Sequence, residues 1–218
     1  MSTHVIVGAG TIGRELAVHL ADQGHDVIVV SRRGRAPDHR GVRGVAIDAS
    51  SPAELTRVAA GAGVLFNCAS PPSYTHWAKD WPPLAASLLA TAQDTGATLV
   101  TMSNLYGYGP VNGPMTADLP LAATGPKGRL RAHMWQDALA AHQAGRARVA
   151  EVRASDYVGP TVDAEHGMLF RYVEAVRAGR PAYVFGDPDA PHSWSYVPDV
   201  AATLVAVATH PECWGRAW

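Results

Sequence analysis

An α/β protein built on a doubly wound parallel sheet, with helices on both faces, is what this sequence predicts. Three observations carry that expectation. Short β-branched runs alternate with helical stripes along most of the chain. The strand runs are continuously apolar rather than alternating, as in strands buried on both faces. A glycine-rich turn joins the first strand to the first helix.

The elements follow in order. His4 to Gly8 (HVIVG) is a buried strand ending in glycine, and Ile12 to Asp22 carries an apolar stripe at Ile12, Leu16, Ala17 and Leu20. Asp26 to Ser31, Gly44 to Ile47 and Val64 to Asn67 read as the next three strands. Ser51-Pro52-Ala53-Glu54 is a capping box with proline at the first helical position, so a helix starts there. Trp81 to Thr95 is helical in composition, Thr98 to Met102 reads as a fifth strand, Pro126 to Ala144 as a helix and Arg148 to Arg153 as a sixth strand. Beyond these, Gly167 to Ala178 reads as a helix, Ala182 to Phe185 and Trp194 to Val197 as short strands, and Pro198 to Ala208 as a last helix. A dinucleotide-binding unit over 1–160 with a partial substrate lobe over 161–218 is the expected organisation. The loop from Gly107 to Gly125, rich in glycine and proline, lies where such a fold shapes a substrate pocket.

Composition narrows the function. The chain has 218 residues, 47% of them hydrophobic and 17% charged, enough to build a core. A formal net charge of -1 argues against nonspecific nucleic-acid binding. No apolar run approaches the ~18 residues of a membrane span, and no signal-peptide pattern opens the chain, so a cytoplasmic protein is expected. Cys68 and Cys213 stand alone, and the 10 histidines form neither HExxH nor an i, i+4 pair, so no metal site is expected.

The glycine turn is the strongest chemical signal. Gly8-Ala9-Gly10-Thr11-Ile12-Gly13 fits GxGxxG between a strand and a helix, within a βαβ unit of about thirty residues. Gly8 permits the tight turn, Gly10 lets the backbone approach a pyrophosphate, and Gly13 lets helix and strand pack closely. The helix N-terminus at Thr11 and Ile12 then offers free N–H groups to the anion. About twenty residues on, where a carboxylate would bind the ribose 2′-OH of NAD, the second strand ends at Ser31-Arg32-Arg33. Guanidinium groups suit a 2′-phosphate, so NADP is expected in preference to NAD; a solvated basic loop is the bland alternative.

Further stretches resemble the short-chain dehydrogenase/reductase superfamily, in its extended or atypical epimerase/dehydratase branch. Asp48-Ala49 matches the acidic position that in the family bonds the adenine amino group, and Asn67-Cys68-Ala69-Ser70 the loop beneath the cofactor ribose. Thr101 to Gly107 resembles the Ser/Thr-containing fifth-strand end running into Tyr-Gly. Arg153 to Pro160 and Ser195 to Ala201 resemble the family's "R-x-x-x-x-Y-G-P" and "Y-V-x-D-V-A" stretches, with Val158 where tyrosine is usual. The resemblance implies a Rossmann-like fold, a small truncated C-terminal substrate lobe, a small-molecule substrate and a homodimer.

Two departures bear on activity. The superfamily reacts through Tyr-x-x-x-Lys, in which tyrosine exchanges a proton with the substrate oxygen. The matching stretch reads as Ala123 to Arg131, with Lys127 on the lysine and Ala123 on the tyrosine, and a methyl group moves no proton. Counting back from Tyr106 by the family spacing lands on Met102, with Ser103 next door. Ser103, Tyr106 and Lys127 are therefore the catalytic candidates, with Tyr108 a further proton-donor candidate; Lys127 and Arg131, at i, i+4, share a helix face that could serve cofactor phosphate or ribose, so Lys127 is also a cofactor-binding candidate. Packing for Tyr106 and a solvated face for Lys127 and Arg131 are the bland readings. The expected function is an NADP(H)-dependent oxidoreductase or epimerase acting on a small carbonyl or hydroxyl compound. A non-redox cyclisation, dehydration or isomerisation on the same scaffold, or a noncatalytic NADP(H) sensor, are the alternatives that Ala123 leaves open.

Overall fold

The structure, a computed structural model, describes residues 2–71, 73–162, 167–184, 187 and 189–218. Six strands form one parallel sheet: β1 (Thr3–Val7), β2 (Asp26–Ser31), β3 (Val42–Ala46), β4 (Val64–Asn67), β5 (Thr98–Asn104) and β6 (Val149–Ala154), in the order β3-β2-β1-β4-β5-β6. Register is continuous, with Val5 beside Ile28 on one flank and Leu65 on the other. Crossovers run both ways from β1, so the strand order reverses between β1 and β4. In open α/β sheets that reversal opens a crevice at the strand ends. Residues 215–218 extend the sheet along β6, where Glu151 N–H donates to Arg216 C=O and Trp218 N–H to Glu151 C=O.

Alternation along the strands divides the core. One face sends Ile6, Phe66, Val100 and Val152 against α1 (Thr11–Asp22) and α6 (Val197–Thr209). The other sends Val5, Leu65, Leu99 and Val149 against α2 (Pro52–Ala59), α3 (Trp77–Thr95) and α4 (Pro126–Gln143). The strands are buried on both sides, which is why they read as unbroken apolar runs.

The expected elements shift in three places. Helix α2 begins at Pro52 as the sequence indicates, but Ser51 makes no side-chain cap bond. Helix α3 starts at Trp77, one turn before Trp81, and keeps Pro82 and Pro83 inside it. Each proline removes an intrahelical N–H. Trp77 and Trp81, 4% and 2% exposed, both turn inward from that first turn, and their burial offsets the missing bonds. The strand expected at 182–185 does not form over 182–184, and Phe185 lies outside the described residues.

Residues 161–218 contribute both to the main sheet and to a small lobe. Helix α6 buries Val197, Val200, Ala201, Leu204, Val207 and Ala208, an apolar stripe that can be covered only against the main sheet and α1. The small C-terminal lobe consists of α5 (Met168–Arg177) and a two-stranded parallel sheet of β7 (Asp156–Val158) and β8 (Trp194–Tyr196). Helix α5 buries no residue fully.

Leu204 is fully buried beneath α6. Leu204→Ala is expected to cost about 2–5 kcal/mol, read as a lowered urea midpoint with unchanged slope. His4, buried on β1, has its pKa held down from 6.5 to about 4, by burial first and then by the charge of His25. The unfolded chain takes up that proton near pH 6.5 and the folded chain does not. The stability involved is complete above pH 6.5 and is lost as pH falls through 4. Urea denaturation at pH 7 and pH 5 is expected to show the acid limb, and His4→Leu to flatten it.

Candidate dinucleotide and active site

Gly8, at φ +112°, leaves β1 in a conformation few side chains adopt, and a Cβ there would stand 2.5 Å from the Cys68 carbonyl oxygen. A Cβ on Gly13 would overlap the Gly8 carbonyl oxygen. At Gly10 nothing lies within 4 Å, so that position faces open space. The first intrahelical bond of α1 runs from Arg14 N–H to Gly10 C=O at 2.9 Å. The N–H groups of Thr11, Ile12 and Gly13 are thus left without intrahelical acceptors. Gly10 is the N-cap, with no capping side chain, and no acid sits in the first turn. Beside this end of α1 is a cleft of about 420 Å³, lined by Ala9, Gly10, Thr11, Arg14, Pro37 and Thr161 among others. Open backbone N–H groups at a helix N-terminus, over a glycine that a side chain would obstruct, fit a pyrophosphate.

The second strand delivers the adjoining corner. Ser31 Oγ accepts from Arg35 N–H at 2.8 Å and donates to Arg35 C=O at 3.3 Å, closing a turn through Gly34 at φ +64°. Ser31 therefore shapes the turn, while Arg32 and Arg33 project from it exposed. After β3, one Asp48 oxygen accepts from Ser50 N–H at 3.0 Å and from Ser50 Oγ at 2.8 Å. Those bonds, and behind them the charge of Arg32, hold the Asp48 carboxyl below its usual value. Ala49 follows, half-buried against the core. At the end of β4, buried Asn67 accepts from Ala69 N–H at 3.2 Å and so pins the Cys68-Ala69 turn against the glycines. Desolvation pushes the Cys68 thiol up to about 12, so it stays protonated at neutral pH.

After β4 and β5 the chain assembles an aromatic group that the sequence did not bring together. Tyr74 stacks on Trp77 at 4.6 Å between ring centroids, Trp77 stacks on Tyr106 at 5.9 Å, and the Tyr74 and Tyr106 hydroxyls are 3.3 Å apart. Desolvation first, and the Tyr74 hydrogen bond second, raise the Tyr106 pKa, which makes it a weaker acid. Lys127 Nζ lies over the Tyr74 ring, 5.0 Å from its centroid. Tyr157, on β7, is raised by desolvation and feels the neighbouring Cys68, Arg131 and Tyr74.

Beneath this group is a buried polar network. Arg131, 4% exposed, donates to Ser103 Oγ at 2.8 Å and to Met102 C=O at 3.3 Å, with its guanidinium 4.4 Å from the Trp81 ring centre. Glu151 accepts from Arg153 Nε at 2.7 Å, and Arg153 donates to the Tyr108 hydroxyl at 2.7 Å. Burial raises the Glu151 pKa; Arg153, Arg131 and Ser103 oppose the rise. Ser103 and Tyr108 are both buried, and each holds an arginine; Tyr106, 44% exposed, is the one that reaches the surface. No sequence spacing linked Tyr74, Trp77 and Tyr157 to one another, since they lie in three different elements. Arg131 had such a link, its i, i+4 spacing from Lys127.

Ala123 lies ahead of α4, where its N–H donates to Gly107 C=O at 3.2 Å. A larger cavity, about 600 Å³, lies between α3, α4 and the sheet, lined by Leu89, Leu99, His133, Trp135 and Glu151 among others. None of the glycine-turn residues lines it. Among the described residues no group of three or more His, Cys, Asp or Glu is placed to hold a metal, and no helix is long and apolar enough to cross a membrane.

A parallel sheet with its order reversed at β1/β4, and a glycine-lined helix N-terminus at the reversal, is the architecture of the doubly wound α/β class. The chain belongs to the NAD dependent epimerase/dehydratase family, whose model matches residues 4–215. Among solved structures it is similar to the dTDP-glucose 4,6-dehydratase of Bacillus anthracis str. Ames in complex with NAD, at 21% identity and a TM-score of 0.85 over 100% of this chain and 74% of that one. It is also similar to the UDP-glucose 4-epimerase of Thermotoga maritima with UDP-glucose, at 20% identity and TM-score 0.82, covering 95% and 73%. A third is the UDP-N-acetylglucosamine 4-epimerase of Methanobrevibacter ruminantium M1 in complex with UDP-N-acetylmuramic acid, at 16% identity and TM-score 0.84, covering 95% and 73%. Among curated proteins nothing matches.

The glycines separate folding from binding. Gly13→Val is expected to lower Tm sharply, because its side chain meets the Gly8 carbonyl. Gly10→Val is expected to leave Tm within a few degrees and abolish dinucleotide binding, measured by quenching of tryptophan fluorescence.

Proposed function

We propose that this protein is an NADP(H)-dependent oxidoreductase of the epimerase/dehydratase type, acting in the cytoplasm as a homodimer on a small carbonyl or hydroxyl compound. The observation that carries the reading is the open helix N-terminus over Gly10 at the β1/β4 reversal, with Arg32 and Arg33 exposed at the end of β2. The three NH groups of Thr11, Ile12 and Gly13 would hold the pyrophosphate. Arg32 and Arg33 would take the 2′-phosphate, and the Asn67-Cys68-Ala69 turn would lie beneath the ribose. Asp48 keeps a second oxygen for the adenine amino group while Ser50 occupies the first.

The dinucleotide, when bound, supplies or accepts the hydride. The protein's own part is to exclude water and to hold a proton at the substrate oxygen. The Tyr74–Trp77–Tyr106 stack supports the first, because it walls the strand ends with apolar rings. Ser103 is buried and its hydroxyl accepts from Arg131, so its part is to hold that side chain in place. The solved neighbours named with NAD and with nucleotide sugars support a nicotinamide cofactor and a polar, hydroxyl-rich substrate.

The alternative is a protein that binds NADP(H) without redox turnover. It is favoured by Ala123 standing outside α4 in place of the tyrosine. Titration with NADPH and NADH, followed by a panel of small aldehydes and ketones, separates the two. Tight NADPH with consumption supports the enzyme, and tight NADPH without consumption supports the sensor. Replacing Arg32 and Arg33 by alanine is expected to weaken NADPH by about 1–3 kcal/mol more than NADH. Equal loss for both cofactors would remove the 2′-phosphate assignment. Sedimentation velocity of the pure protein checks the dimer.

A further inference from the structure

We infer that Lys127 stands where a tyrosine would act, as the group that exchanges a proton with the substrate oxygen, with the buried Arg131 one turn on where the pair's lysine would stand. The inference rests on the reading proposed above. It revises the alignment in which Lys127 takes the role of the pair's lysine.

The helix decides the register. A pair four residues apart shares a face only when both residues are helical. Helix α4 begins at Pro126 after the N-cap Gly125, so Ala123 and Lys127 do not form such a pair. Ala123 is tied back to Gly107, and a Cβ on Gly128 would stand 2.5 Å from the Ala123 methyl. One turn on, Lys127 and Arg131 are both helical and four apart. Gly128 lets this end of the helix press onto the Tyr106 carbonyl, which a side chain there would overlap. That close approach sets the first turn of α4 against Tyr106, with Lys127 exposed over the Tyr74 ring and Arg131 buried one turn on.

The two cations have different surroundings. Arg131 is buried, bonded to Ser103 and the Met102 carbonyl, next to Tyr157 and against Trp81. It is held in one place and keeps its proton. Lys127 is exposed over Tyr74, and no carboxylate among the described residues lies within ion-pair distance of it. Tyr106 is less suited to the role, since its hydroxyl is shared with Tyr74 and its acidity is reduced by burial. Tyr108 is less suited still, buried and bonded to Arg153.

The step balances without a further reactant. The hydride from the reduced dinucleotide forms a C–H bond at the carbonyl carbon, and the C=O π pair moves to oxygen. That oxygen takes a proton from the Lys127 ammonium, whose N–H bond breaks. Substrate is reduced to the alcohol, the dinucleotide is oxidised, and the Lys127 amine recovers its proton from water. In the other direction the amine takes the hydroxyl proton as hydride leaves carbon.

The chain has two lysines, Lys79 and Lys127, and Lys79 is exposed on α3, so amine chemistry reads the site against an internal control. The full protein is modified with trinitrobenzenesulfonate and the products mapped by mass spectrometry. NADP+ at ten times its dissociation constant is expected to slow modification of Lys127 about tenfold, the limit set by occupancy, and to leave Lys79 unchanged. Lys127→Met is expected to keep the NADPH dissociation constant within about twofold and to lower kcat on the carbonyl panel by about 10²–10⁴-fold. Lys127→Tyr is expected to recover part of that loss. Undiminished labelling of Lys127 under bound NADP+, or a Lys127→Met protein that keeps its kcat and loses NADPH affinity, overturns the assignment. Wild-type protein that binds neither dinucleotide, or turns over no panel member, overturns the reading beneath it and the assignment with it.

Discussion

The crossing of three backbone segments at the end of β1 is the constraint on which the rest of the molecule depends. Gly8, Gly13 and the Cys68 carbonyl approach so closely that no Cβ fits at either glycine. Because Gly13 can lie against the Gly8 carbonyl, α1 starts directly over the strand end with its N–H groups aimed into the crevice. Because Gly8 can lie against Cys68, β4 stays paired with β1 up to the turn, with Cys68 N–H donating to Val7 C=O at 2.8 Å. The cleft is thus a consequence of where side chains are missing. Its third glycine, Gly10, is under no such pressure from the protein, and its small size matters for whatever occupies the cleft.

A second constraint is the charge buried on the α3/α4 side. Arg131 and Glu151 are each 4% exposed, and buried ions are tolerated only when their hydrogen bonds are met nearby. Ser103 Oγ and the Met102 carbonyl accept from Arg131, and Arg153 donates to Glu151 and to Tyr108, while Arg131 Nε is left without a partner among the described residues. Removing one partner would strand a charge, so the network fixes the position of α4 relative to the strand ends more strongly than apolar contact would. Trp81 lies against the Arg131 guanidinium and Trp77 against Trp81, which links the network to the Tyr74–Trp77 stack. Folding of α3, with its two prolines, is therefore tied to the geometry of the site.

The sheet, the order of helices and the glycine turn were legible in the amino-acid sequence because each rests on local rules. Continuous apolar runs mark strands buried on both faces, and GxGxxG between strand and helix marks a close backbone approach. Gly8, Gly10 and Gly13 could be given separate roles from their spacing alone, and Arg32 and Arg33 stand at the end of β2 by simple counting. Local rules erred where long-range burial competed with them. They began α3 at Trp81, while the helix starts a turn earlier at Trp77, whose ring is buried. They assigned a strand over 182–185, which does not form over 182–184.

Only the tertiary structure decided what the residues near the strand ends do. Ser103, Tyr106, Tyr108, Lys127 and Arg131 lie within thirty residues of one another in sequence, yet their environments are set by β6, β7 and α3, which arrive from elsewhere in the chain. Packing turned Ser103 and Tyr108 inward to hold arginines, left Tyr106 stacked at the surface, and separated an exposed Lys127 from a buried Arg131. The start of α4 at Pro126 removed Ala123 from the helix face and left Lys127 and Arg131 as the helical pair four residues apart. Strand and turn patterns survive in the sequence because they act between neighbours. Burial and charge at a site do not, because each is a sum over segments brought together only by folding.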